Sequence, residues 1–155
     1  GTDINNIHAV GGEGTYRFHD GKQFQRKDEL TSEEVSLYGV WGSAIDDVYI
    51  VGSHGTILHF DGNEEGEWVP MESGTEEYLL SIWGSSPNNI FAVGDNATIL
   101  HYNGKSWSAM EPKTDKYLTK IRGLRSDCIY AVGDDGLVIR FDGKKWNDMS
   151  LGEDA

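Results

Sequence analysis

The sequence predicts an all-β fold, a beta-propeller with four-stranded blades, on three observations. Four Val-Gly pairs recur at a near-constant interval: Val10-Gly11, Val51-Gly52, Val93-Gly94 and Val132-Gly133, at spacings of 41, 42 and 39 residues. A second set keeps the same intervals: Gly21, Gly62, Gly104 and Gly143. Each follows Asp20, Asp61, Asn103 or Asp142 and precedes an aromatic residue, Phe24, Trp68, Trp107 or Trp146. Finally, each period divides into short apolar or alternating runs bounded by turn formers, none long enough for a typical helix. Four strands in a period of about 40 residues is the signature of a propeller blade, not of a helical-pair repeat.

The third repeat shows the elements in order. Its first strand covers residues 79–83, and Pro87-Asn88-Asn89 turns the chain into Ile90-Phe91-Ala92-Val93. Gly94-Asp95-Asn96 turns it again into residues 98–102, and Asn103-Gly104 leads to the last strand at residues 106–110. A blade is covered on both faces, so its middle strands can be apolar throughout, as Ile90 to Val93 are. The chain is read as a single propeller domain, or a propeller segment, over residues 1–155. The repeats are placed at approximately 1–35, 36–77, 78–116 and 117–155. First strands are expected at residues 37–41, 79–83 and 118–122, ending before Gly42, Gly84 and Gly123. Gly1 aligns with those glycines, and no first strand is found ahead of it. The first repeat is therefore expected to lack its innermost strand, giving fifteen strands in all.

The turns have separate physical roles. Asp-Gly and Asn-Gly pairs supply positive φ at low cost and close tight hairpins. That role falls to Gly104 and Gly143 between third and fourth strands, Gly62 being read as structural in a turn stretched by Asn63-Glu64-Glu65-Gly66-Glu67, and to Gly14, Gly55 and Gly136 between second and third. Ala97 takes the latter place in the third repeat, so Asn96 or Asp95 is expected to carry the positive φ there. Gly52, Gly94 and Gly133 are read as structural, and Trp68, Trp107 and Trp146 as packing residues between blades. Met71, Met110 and Met149 follow those tryptophans at a fixed offset of three.

Composition bounds the partners. There are 13 Lys and Arg against 26 Asp and Glu, a formal net charge of −13. That balance opposes binding to a phosphate backbone or an anionic membrane, so neither nucleic acid nor membrane is expected as a partner. No apolar run reaches the length of a membrane-spanning helix. The one cysteine, Cys128, cannot make an intrachain disulfide. The cellular compartment stays open, with a periplasmic or extracellular one favoured.

The run Ile82-Trp83-Gly84-Ser85-Ser86-Pro87-Asn88-Asn89-Ile90-Phe91-Ala92-Val93-Gly94 resembles a repeat of bacterial beta-propeller proteins. Trp41-Gly42-Ser43, with Gly55-Thr56-Ile57-Leu58-His59-Phe60-Asp61-Gly62, carries the same resemblance. These Trp-Gly repeats resemble those of BNR-like and photosystem-assembly-factor-like propellers, and the likeness extends over essentially the whole chain. The turn from Asp61-Gly62 to Trp68 also resembles an Asp-box, the hairpin of sialidase-type propellers. In that family the hairpin is structural and stands away from the active site. The resemblance implies the propeller fold and no particular activity.

His8, His19, His54, His59 and His101 do not form a recognisable zinc pattern, and no metal site is assigned. Asp46-Asp47, Asp134-Asp135 and the Glu64, Glu65, Glu67 loop allow adventitious calcium and nothing more specific. No cofactor fingerprint, P-loop or nucleophile elbow is present, and no catalytic residue is assigned. Trp41 and Trp83 end first strands, and Arg122 stands at the same place in the fourth repeat. These three are the ligand-binding candidates, a small platform for sugar or peptide near the central opening.

The function expected is a non-catalytic repeat module that binds protein or glycan, or organises a larger protein. A carbohydrate-active enzyme of propeller fold is the alternative. Cut repeat ends are adhesive, so self-association is expected, with two chains completing an eight-bladed ring as one form.

Overall fold

The computed structural model describes residues 6–27, 30–32 and 34–151. Among the described residues, fifteen strands fall into four antiparallel sheets, each a simple meander. The first sheet holds β1 (Ile7–Val10), β2 (Tyr16–His19) and β3 (Phe24–Lys27). The second holds β4 (Leu37–Ala44), β5 (Asp47–Gly52), β6 (Ile57–Phe60) and β7 (Val69–Pro70). The third holds β8 (Leu79–Ser86), β9 (Asn89–Gly94), β10 (Ile99–Tyr102) and β11 (Trp107–Ala109). The fourth holds β12 (Leu118–Arg125), β13 (Cys128–Gly133), β14 (Val138–Phe141) and β15 (Trp146–Asp148). The first sheet has three strands, as the repeat alignment expects. Gly1 lies outside the described residues.

The first strands run three residues past their expected ends. Gly42, Gly84 and Gly123 are interior to them, each followed by a register shift before Ala44, Ser86 or Arg125. A bulge absorbs the extra residue and lets the strand reach a tight turn. Sequence periodicity stops at the glycine because the alternation breaks there.

Sheets pack face to face, with β4 against β8 and β8 against β12 as the close approaches. Three cores fill the gaps. Between the first two sheets lie Tyr16, Leu37, Ile50 and Leu58, with Trp68 packed on them. Between the second and third lie Tyr49, Val51, Ile57, Ile82, Leu100 and Trp107. Between the third and fourth lie Phe91, Val93, Ile121, Ile139, Phe141 and Trp146. The second strands of the second and third sheets are buried on both faces, which is why β9 carries no alternation: Ile90 to Gly94 are all buried. The fold is a propeller of four-stranded blades.

In the turn between β9 and β10 Asn96 carries a positive φ as expected, but Ala97 carries one as well. Ala97 itself has φ of 57°, and its neighbour Asn96 has φ of 50°. The other repeats make the same two-residue turn, with Glu13-Gly14, His54-Gly55 and Asp135-Gly136 all at positive φ. Matching the twist of the flanking strands requires both central residues to be left-handed, so the strain could not move to Asp95.

The outer face of the fourth sheet differs from its counterparts. Tyr49 and Phe91 occupy one repeat position at 2% and 1% exposure, but Tyr130 there is 39% exposed. Val51 and Val93 are fully buried, while Val132 is 40% exposed. Met71 and Met110 pack against the following sheet, and Met149 faces solvent.

Candidate functional site

The first strands β4, β8 and β12 set Trp41, Trp83 and Arg122 at one register position, opposite Tyr49, Phe91 and Tyr130. All three line a single cavity of about 330 Å³, together with His8, Val40 and Gly42. The two tryptophans also serve the packing between sheets. A β-carbon built on Gly84 would lie 2.7 Å from Cη2 of Trp41, and one on Gly123 would lie 2.7 Å from Cζ2 of Trp83. Each indole therefore rests on bare backbone of the next sheet and shows its remaining surface to the cavity. Arg122 is exposed, and its Nη1 donates to the Ile121 carbonyl at 3.0 Å. The cavity thus combines two aromatic surfaces with one fixed positive charge. That set favours a planar, polar or anionic-edged group over a greasy one.

His8 belongs to this cavity and was missed by sequence reasoning. It stands two residues before Val10, as Tyr49 and Phe91 stand before Val51 and Val93. That alignment was the available signal. The Tyr16 hydroxyl lies 2.8 Å from its Nδ1, while its buried Nε2 has no partner among the described residues. Burial pushes the His8 imidazole below its usual value and raises the Tyr16 phenol to about 12, so both are neutral at pH 7.

His59 and His101 act within their own sheets. His59 Nε2 lies 2.7 Å from Oδ1 of Asp47, and His101 Nε2 lies 2.7 Å from Oδ1 of Asn89. Each pair ties the third strand to the start of the second. Asp47 also accepts from Ser43, and Asn89 donates to Ser85 at 2.7 Å. In the fourth sheet the pair is Cys128 and Arg140, and the cross-strand bond is not made. Among the described residues no group of three or more His, Cys, Asp or Glu side chains converges on a metal position. No described helix is long and apolar enough to cross a membrane.

The structural residues lie away from the cavity. Trp68 meets Tyr16 edge-on at 5.1 Å, and Trp107 and Trp146 are 8% and 1% exposed within the inter-sheet cores. Gly62, Gly104 and Gly143 have φ of 75°, 91° and 93° in the last hairpin of their sheets. Gly52, Gly94 and Gly133 do something different. Backbone carbonyls of Ser36, Tyr78 and Tyr117 lie where a β-carbon would be, because the segment entering each sheet crosses there. In the last hairpins, Asp20 and Asp142 accept backbone N–H groups of Gln23 and Lys22, and of Lys145 and Lys144. Those bonds, with Gln25 and Asn147 added, hold both carboxyls at about 2.

No family model and no curated protein matches this chain. Solved structures do. A YCF48 protein bound to a D1 peptide matches at TM-score 0.73 and 17% identity, over 97% of this chain and 51% of that one. YCF48 from Cyanidioschyzon merolae matches at TM-score 0.62 and 20% identity, over 77% of this chain and 41% of that one. The RRP9 WD40 repeats match at TM-score 0.69 and 6% identity, over 94% of this chain and 49% of that one. The shared property is the propeller fold. This chain spans about half the length of the first of these structures or less of the others.

Proposed function

We propose that this chain is a non-catalytic propeller module that binds a protein partner through a peptide segment held in the Trp41, Trp83 and Arg122 cavity. The observation that carries this reading is the convergence of those side chains, one from each successive first strand, on one concave site. Aromatic surfaces beside an arginine are the chemistry of protein recognition hot spots. A structurally similar propeller captured with a peptide supports a peptide over a glycan. None of the described residues lining the cavity is acidic, so the paired carboxylates of a glycoside hydrolase do not meet there. The test is selection from a random peptide library, followed by Arg122→Glu. Selected peptides should lose at least tenfold in affinity on that variant. Binding of glycans on an array, with no peptide selected, would overturn the reading.

A second reading rests on Tyr130, Val132 and Met149. Their counterparts in the second and third sheets are buried by the following sheet, so this face is built to receive another blade. A second copy of the chain supplies one in the eight-bladed ring. Light scattering would show this as a mass above that of one chain.

A further inference from the structure

The second repeat departs from the other three in charge. Residues 36–77 hold nine Asp and Glu and no Lys or Arg, so this repeat carries −9 of the net −13. The connection leaving its sheet shows the contrast. Glu72-Ser73-Gly74-Thr75-Glu76-Glu77 stands where the third repeat has Glu111-Pro112-Lys113-Thr114-Asp115-Lys116. Among the described residues the ion pairs made by Lys and Arg, Lys116–Asp135 and Arg125–Asp127, both lie outside this repeat. Glu72 and Glu76 are exposed, and neither has a cation partner among the described residues.

The same repeat departs in shape. Val69 on β7 is 51% exposed, where polar Ser108 and Asn147 hold the matching places in β11 and β15. Val69 lines a cavity of about 280 Å³ between the second and third sheets, together with Met71, Lys105 and Trp107. A second cavity of about 330 Å³, lined by His54 and Glu76, shares Pro70, Met71 and Glu72 with the first. The two make one groove along the outer rim, apolar at the Trp107 end and acidic at the Glu76 end. The Trp107 ring also carries a buried Nε1 with no partner among the described residues, a donor in want of an acceptor. The edge of β7 itself disfavours a further strand. Met71 N–H is given to the Ile57 carbonyl at 2.9 Å, so the alternate residue, Pro70, meets the free edge and has no N–H to offer there. An occupant is therefore held by side chains.

We infer that this groove is a docking surface for an extended, lysine- or arginine-bearing segment of a partner protein. It is a second site, lined by none of Trp41, Trp83 and Arg122, and it lies between the second and third sheets. The occupant follows from charge complementarity, since the repeat concentrates carboxylates and supplies no cation of its own. The segment lays one apolar side chain between Val69 and Trp107 and runs its cations past Glu72 and Glu76. Lys105 is the one Lys or Arg lining the groove, and it stands at the apolar end, so the cations of the segment lie away from it. The carboxylates raise the rate of encounter and reject acidic competitors, and the apolar seat slows release.

The test starts from the Arg122→Glu chain, in which the cavity of the proposed function is disabled. A random peptide library is selected on that chain, and the selected peptides are synthesised with fluorescein and titrated by anisotropy. They should carry Lys or Arg beside an apolar residue. Glu72→Lys with Glu76→Lys should weaken their binding by about tenfold or more. The same charge change at the matching places of the third repeat, Glu111→Lys with Asp115→Lys, should weaken it by less than about threefold. Val69→Ser leaves the charge unchanged and should weaken binding by about threefold or more. All five side chains are exposed, and circular dichroism checks that each variant folds. Equal losses in the two charge variants would show attraction to net charge alone and overturn the groove. So would peptides without cations, peptides indifferent to Val69→Ser, or no selected peptide at all. None of these outcomes touches the cavity reading, which the selection on the parent chain decides.

Discussion

The indole of Trp83 lies on the bare Cα of Gly123, one sheet further on, and Trp41 lies on Gly84 in the same way. A methyl at Gly123 would meet three ring atoms, so the ring must leave its rotamer or the sheets must part. Overpacking of this kind costs about 1–3 kcal/mol. Gly123→Ala should lower stability by that amount in urea denaturation. Trp83→Leu removes the obstacle, so the double variant should be more stable than the two single losses predict. A coupling of about 0.5–3 kcal/mol is expected for residues in contact. Strict additivity would show that the two residues do not touch.

The Val-Gly glycines give a graded series. At Gly94 and Gly133 a β-carbon would collide with a backbone carbonyl, which cannot rotate away as a side chain can. The same two carbonyls accept hydrogen bonds from Asp95 and Asp134, so moving them also breaks pairing. Gly94→Ala and Gly133→Ala should each cost more than Gly123→Ala, on the order of 3 kcal/mol or above. At Gly11 the nearest atom is Cβ of Thr15 at 3.8 Å, because no described strand crosses there. Gly11→Ala should stay within about 0.5 kcal/mol of the parent. Equal effects at all four positions would mean that the glycines serve a local backbone preference instead of the crossing.

Those same residues show what was readable beforehand. The period, the strand order and the three-stranded first sheet followed from landmarks that repeat, because every blade solves the same packing problem. Trp41, Trp83 and Arg122 could be grouped because equivalent positions in successive blades lie side by side around an axis. His8 escaped because its counterparts in the alignment, Tyr49 and Phe91, are aromatic core residues, whereas His8 lines the cavity. Ala97 escaped because residue preference favours Asn at positive φ, whereas the hairpin needs both central residues left-handed. The Asp47–His59 and Asn89–His101 bonds are cross-strand contacts, visible in sequence only as a repeated separation of twelve.

Acid sensitivity should come in two windows. Burial holds His8 and His101 below the ordinary 6.5, so below that pH the unfolded chain binds more protons than the folded one. Their contribution is fully present above 6.5 and falls as the pH drops from there toward their folded values. Asp20 and Asp142 contribute above 3.8, and that contribution is lost as the pH falls toward about 2. A net charge of −13 works in the opposite direction, since protonating surface carboxylates relieves repulsion. The difference between variant and parent isolates the histidine effect. His101→Gln should flatten the fall in urea midpoint between pH 7.5 and 5.5. A parallel displacement at every pH would place the loss in packing and not in protonation.

The open face of the fourth sheet should control assembly. Tyr130 and Val132 are each about two-fifths exposed, where their counterparts in two other sheets are buried. Covering them with another blade removes apolar surface from water at about 25 cal/mol per Å². An inserted carboxylate would have to be desolvated in that contact, at a cost of several kcal/mol. Val132→Asp should therefore shift the parent from an assembly to a single chain while leaving its own fold intact, since the residue already meets solvent there. Light scattering across a hundredfold concentration range, with circular dichroism as the folding control, reads both properties. Parent and variant sharing one mass throughout that range would show that this face takes no second copy.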